Sequence, residues 1–181
     1  MQRKAIFLDR DGVINREKGY ITSWAEFELL PNTLEALQLI QKSDYLSVVV
    51  TNQSGIAKGL YSEMDLQNIH KQLNQQLSNS LISIDAFYYC PHHPHGTVKE
   101  YSKICDCRKP NNGLITKAAH DMNINLKESY LIGDSERDIL AGNISGCTTF
   151  AVKTGHGSTA QHEHANYIVK DILEAVRIIL H

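Results

Sequence analysis

The sequence predicts an α/β fold with a central, mainly parallel sheet covered by helices on both faces. Short apolar runs recur along the chain and are too continuous for strands with one wetted face. Segments with helical spacing separate them, and several runs end abruptly in polar, acid- or glycine-containing turns. At 181 residues, 42% of them hydrophobic, the chain has enough apolar material for one substantial core, so a single domain over 1–181 is expected. A net charge of -2 supplies no basic excess for a nucleic-acid backbone or an anionic membrane, which leaves a small anionic molecule as the expected partner. No run approaches the ~18 apolar residues of a membrane span. The run AIFL after Arg3 and Lys4 is too short for the core of a signal peptide, so a cytoplasmic monomer is expected.

The first strand is the run Ala5, Ile6, Phe7, Leu8, which stops at Asp9, Arg10, Asp11 and Gly12. A long irregular connection over 15–31 carries Gly19, Tyr20, Trp24 and Phe27, and its aromatics argue for a functional loop rather than disorder. Asn32 is a candidate cap for a helix over 33–42, where Leu34, Leu37 and Ile40 repeat at helical spacing. A second strand over 46–50 ends in the turn Thr51, Asn52, Gln53, Ser54, Gly55, followed by a helix over about 62–80. A third strand is expected over 84–89, then a loop over about 90–110 rich in Cys, His and Pro, then a helix over 114–122. A fourth strand over 129–132 runs into Gly133, Asp134 and Ser135 ahead of a short helix over 136–143. A fifth strand over 148–152, a mobile surface loop over 155–164 and a terminal helix over 172–180 complete the chain. Repeats, low-complexity segments and linkers are absent from the sequence.

Ligands of parallel α/β sheets bind beyond the strands' C-terminal ends. That rule gathers Asp9, Asp11, Thr51, the 90–110 loop and Asp134 at one edge. Aspartate is a poor strand residue and costly to bury as an anion, so two at one strand end suggest a cation site. An isolated pair of this spacing would be read as a solvated turn, but here it has company. Phosphoryl transfer needs a nucleophile, a proton donor, a hard cation and donors around the phosphoryl oxygens. Asp9 or Asp11 suits the first role and the other the second, while Asp134 adds an oxygen ligand for Mg2+. Thr51 and Lys109 are candidate phosphoryl donors, and the turn residues Asn52, Gln53 and Ser54 are candidate substrate contacts.

The stretches FLDRDGV, VVVTNQSG, CRKP and LIGDSERD resemble, in order, the four motifs of the haloacid dehalogenase (HAD) superfamily of phosphohydrolases. That resemblance implies a Rossmann-like three-layer fold, and the lack of any long insertion leaves no separate cap domain and places specificity in the loops. It implies Asp9 as nucleophile and Asp11 as general acid and then base, with Thr51 and Lys109 stabilising the phosphoryl group. It also implies Mg2+ held by Asp9, the backbone of Asp11, and Asp134. Asp138 matches a later acid of the fourth motif; as an exposed helix residue it reads equally as a helix-face carboxylate or as one that supports the metal ligands without touching the ion.

Four cysteines without an export signal suggest metal rather than disulfides. Cys90, His92, Cys105 and Cys107 make a Cys3His set suited to structural Zn2+. His93 and His95 are rival ligands, and Cys147 reads as a small core residue. The loop resembles that of two HAD families, the D-glycero-D-manno-heptose 1,7-bisphosphate 7-phosphatases and the histidinol-phosphate phosphatases, whose spacing favours His92. CPHHP followed by CDCRKP is closer to the heptose family, which implies a role in making lipopolysaccharide core precursors. By the same resemblance Arg108 contacts the substrate's remaining phosphate, and Glu17, Lys18, Gly19 and Tyr20 lie where the sugar binds. Ser135 departs from that family, where a lysine is expected. Histidinol phosphate is the alternative substrate, and a non-catalytic sugar-phosphate binding module is the alternative of another class.

Overall fold

A computed structural model describes residues 2–158 and 162–181. Its six parallel strands lie in the order β3-β2-β1-β4-β5-β6, with β1 at Lys4–Leu8, β2 at Tyr45–Asn52, β3 at Ala86–Cys90, β4 at Tyr130–Gly133, β5 at Thr148–Val152 and β6 at Tyr167–Val169. The chain starts in the middle, builds outward through β2 and β3, then returns to place β4 on the other side of β1. That reversal opens a crevice between the C-terminal ends of β1 and β4, the position where such sheets bind ligands.

Alternation along β1 shows why its apolar run is unbroken. Ile6 and Leu8 pack on one face with helices α1 (Thr33–Gln41), α2 (Glu63–Ser78) and α5 (Ile172–Leu180). Ala5 and Phe7 pack on the other with α3 (Gly113–Met122) and α4 (Glu136–Ser145). All four residues are completely buried, and each large one contributes ~1.5–3 kcal/mol of transfer free energy.

Several expectations need correction. Thr51 and Asn52 belong to β2, so the turn begins at Gln53; register with Tyr89 and Cys90 carries the pairing two residues further than the apolar run. β6 was not foreseen, being three residues long with two of them exposed. Asn32 stands at the α1 N-cap, but its left-handed backbone (φ 68°) comes with no capping bond, and its amide donates to Asp171 instead at 2.8 Å. The loop expected over 155–164 lies partly outside the described residues. Its start is no free surface segment, because the His156 N–H donates to Asp134 at 2.7 Å.

Candidate active site

β1 and β4 deliver their acids at nearly one level. Leu8 pairs with Ile132, which puts Asp9 beside Gly133 and Asp134 one step beyond. Carboxylate oxygens of Asp9, Asp134 and Asp138 all lie within 4.8 Å of one another. Two glycines permit this. A Cβ on Gly12, whose φ is +85°, would sit 2.2 Å from Asp134 Oδ2, and one on Gly133 would sit 2.2 Å from Asp138 Cβ.

Lys109 is the electrostatic counterweight. Its Nζ donates to the Val50 carbonyl at 2.8 Å and pairs with Asp9 at 2.9 Å and Asp138 at 2.6 Å. The ammonium is therefore buried with three partners for three donors. Asn52 fixes the backbone there, accepting from the Lys109 N–H at 3.0 Å and donating to the Lys109 carbonyl at 3.1 Å. Asp138 itself is buried, against the expectation of an exposed helix acid. It accepts from the Ser135 N–H and hydroxyl at 3.0 and 2.6 Å, so it caps α4 while turning its other oxygen to Lys109.

Burial and the charge of Asp138 push Asp9 up to about 8, with Lys109 working against them. Asp134 is pushed up to about 6 by burial and Asp138, opposed by its bond from His156. Burial works against ionisation of Asp138 too, but Lys109 outweighs it and holds that carboxyl below its usual range. Three acids crowded around one ammonium leave an excess of negative charge. A hard divalent cation among Asp9, Asp134 and the Asp11 backbone would relieve it, and these oxygen donors are of the type Mg2+ takes.

Asp11 is held differently. Arg10, 1% exposed and unforeseen by sequence reasoning, grips it with Nη2 at 2.9 Å from both carboxylate oxygens and Nε at 3.2 Å from one. Asn15 and Gln53 each donate to it at 2.9 Å. Burial would raise its pKa, but the Arg10 charge and these bonds hold it below the usual range. Gln53 also donates to the Thr51 hydroxyl at 2.9 Å and accepts from Tyr61 at 2.6 Å. Its side chain is thus engaged in positioning Asp11 and Thr51 while it lines the cavity above them.

Above the acids opens a polar cavity of about 370 Å³, lined by Asp9, Asp11, Thr51, Lys109 and Asp134 below and by several loops around its mouth. Glu17, Gly19, Tyr20, Asn52, Ser54 and Arg108 line it as well. Lys18 does not: its ammonium turns out to the Glu26 carbonyl and the Glu28 carboxylate at 3.1 Å each. Lys58, His93, Arg137 and His156 line the cavity without having been foreseen. Each comes from a turn or helix end whose local pattern is that of an ordinary surface residue; proximity to the motifs is the only signal for Arg137.

The second cluster forms at the C-terminal end of β3. Sγ of Cys107 lies 2.9 Å from that of Cys90, 3.2 Å from that of Cys105, and 3.3 Å from His92 Nδ1. One atom from each of the four residues lies within 4.8 Å of all the others, and the cysteines are free thiols. Hydrogen bonds from Cys90 chiefly, against burial, bring the Cys107 thiol down to about 5. Soft donors at such separations fit a tetrahedral ion such as Zn2+. His95 is exposed, and His93 faces the cavity mouth.

Fold and site together define a HAD-like hydrolase of phosphoric monoesters. A HAD-hydrolase-like family model matches residues 106–175. The D-glycero-beta-D-manno-heptose-1,7-bisphosphate 7-phosphatase of Pasteurella multocida is 39% identical over 179 residues, covering 98% of this chain and 97% of that one. The enzyme of the same name from Escherichia coli K12 is 38% identical over 164 residues, covering 89% and 85% of the two chains. A crystal structure of the D,D-heptose 1,7-bisphosphate phosphatase of B. bronchiseptica, complexed with magnesium and phosphate, superposes with a TM-score of 0.86 at 32% identity over 98% of each chain. The chain belongs to the family of these heptose bisphosphate phosphatases.

Proposed function

We propose that this chain, acting as one domain over 1–181, is a Mg2+-dependent phosphatase that removes the 7-phosphate of D-glycero-D-manno-heptose 1,7-bisphosphate, on the route to activated heptose for lipopolysaccharide core. The observation that carries the reaction is the convergence of the Asp9, Asp134 and Asp138 carboxylates within 4.8 Å of one another, with the Lys109 ammonium paired to Asp9 and Asp138, at the base of a cavity that Asp11 also lines. Asp9, the Asp11 backbone and Asp134 would hold Mg2+, which supplies charge neutralisation for the phosphoryl oxygens and the carboxylates around them. A carboxylate oxygen of Asp9 attacks phosphorus, the ester P–O bond breaks, and the leaving alkoxide takes a proton from Asp11. Water then attacks the aspartyl phosphate, giving its proton back to Asp11 while the Asp9 carboxylate is regenerated. Thr51 and Lys109 stabilise the transferring group.

Proton donation requires Asp11 to be neutral, whereas Arg10 keeps it ionised in the free protein. The dianionic phosphate arriving beside it supplies the opposing charge, so Asp11 takes up its proton as substrate binds. Arg108, adjacent in sequence to Lys109 and facing the same cavity, is the seat for the phosphate that stays. Zn2+ on Cys90, His92, Cys105 and Cys107 would set where that arginine points. Phosphate release from heptose bisphosphate, fructose 1,6-bisphosphate and histidinol phosphate, with phosphorus NMR of the heptose product, tests this reading. A surviving 7-phosphate signal, or a preference for histidinol phosphate, would refute it.

A further inference from the structure

The cavity mouth holds three cations, none of which has a carboxylate partner among the described residues. Lys58 bonds the Tyr20 hydroxyl, Arg108 donates only to the His92 carbonyl at 3.3 Å, and Arg137 has no hydrogen-bond or ion-pair partner among the described residues. The charges sit close together. Arg137 and Tyr20 both act on Arg108, and Lys58 and Arg108 both act on Tyr20. Glu17, the other acid of the loop side, instead senses Asp11, His156 and Arg10. The cavity thus has an acid-rich base and a mouth whose three cations pair with no carboxylate among the described residues.

Arg137 reaches this mouth from an unusual position. It stands in the first turn of α4, between Glu136 and the buried Asp138, on a helix whose capping Ser135 carries no charge. Both acids of that turn are engaged elsewhere, Glu136 with His164 and Asp138 with Ser135 and Lys109, so neither pairs with the exposed guanidinium. We propose that Arg137 is a specificity-determining residue that grips the non-reacting anionic group of the substrate together with Arg108, the two guanidiniums approaching it from different elements. The class of group is a phosphate dianion, whose oxygens two planar forks can share. This rests on the reading of the site as a sugar bisphosphatase and adds to it the residue that balances Arg108.

The two claims separate experimentally. kcat/KM is measured for heptose bisphosphate and for p-nitrophenyl phosphate, which has a single phosphate, in the wild type, Arg137→Ala, Arg137→Lys, Arg108→Ala and the double variant. Arg137→Ala should lower kcat/KM for the bisphosphate about tenfold, mainly through KM, and leave the nitrophenyl ester within about twofold. Arg137→Lys should recover part of the loss. The double variant should lose less than the product of the single losses, because both arginines hold one group. An Arg137→Ala effect below about twofold on the bisphosphate, or equal on both esters, overturns the proposal. If the wild type fails to use heptose bisphosphate, the functional reading fails instead. The same comparison on fructose 1,6-bisphosphate against fructose 6-phosphate then reads the seat alone, and an equal effect on both overturns it.

Discussion

The Lys109 ammonium lies 2.6 Å from Asp138 Oδ1 with the two side chains 2% and 1% exposed, so a buried ion pair sits directly behind Asp9, the proposed nucleophile. The same ammonium is 2.9 Å from Asp9, and Asp138 therefore decides how strongly Lys109 is drawn away from it. Breaking a buried pair by removing one partner leaves an uncompensated charge and typically costs ~3–5 kcal/mol. Asp138→Asn should accordingly lower stability by about 3 kcal/mol in denaturant melts and reduce turnover as well. Unchanged stability would show that the pair is dispensable.

Asp9→Asn keeps the shape of the side chain and removes the anion proposed to attack phosphorus. Turnover should fall below about a hundredth of the wild type, a loss of more than ~3 kcal/mol in barrier terms, with the fold retained. Activity above that level, read as phosphate release, would contradict the covalent route.

Metal binding should depend on pH through Asp9 and Asp134, which the folded chain pushes up to about 8 and about 6. An acid with a raised folded pKa holds its proton more tightly folded than unfolded. Between the ordinary value of 3.8 and those values, each group's contribution to stability therefore falls as pH rises in the metal-free protein. Mg2+ must displace the same protons, so its stabilisation should grow from pH 6 to pH 8.5. At a hundredfold excess over Kd a ligand contributes ~2.7 kcal/mol, enough to resolve as a Tm shift. Equal Mg2+-induced shifts at both pH values would count against these carboxylates as the ligands.

What the sequence made legible follows the range over which the interactions act. The apolar run of β1, the alternation of strands and helices, and the acids at strand ends are local patterns, and the sheet topology then brings the ends together. Asp138 was misjudged because its burial depends on Lys109, far away in sequence, and on the missing side chain of Gly133. Arg10 escaped notice for a related reason. An arginine between two aspartates reads as a solvated turn residue, and only the fold reveals it packed with His70 and clamped on Asp11. For Lys18, adjacency to Glu17 and Gly19 says nothing about which way a loop side chain turns, and its ammonium turns to the Glu26 carbonyl.

The Cys3His loop should behave as a metal-dependent scaffold. Backbone contacts tie it to the turn after β2 and to α3: Thr97 and Val98 donate to the Ala57 carbonyl at 2.8 and 2.9 Å, and Gly113 at the start of α3 donates to the Asp106 carbonyl at 3.0 Å. The loop has little apolar surface of its own to bury, so most of its order must come from the ligands, and a structural zinc supplies folding free energy directly. Protein purified without chelator should therefore carry about one zinc per chain by elemental analysis. Cys107→Ser should lose it, lower Tm by several degrees, and reduce kcat/KM because Arg108 and Lys109 follow Cys107 immediately in the chain. Brief chelation should act differently, stopping turnover reversibly by taking Mg2+ from the open oxygen site while the closed thiolate site keeps its ion. Absence of zinc from the purified protein, or a Cys107→Ser variant with unaltered metal content and Tm, would remove the zinc from this account.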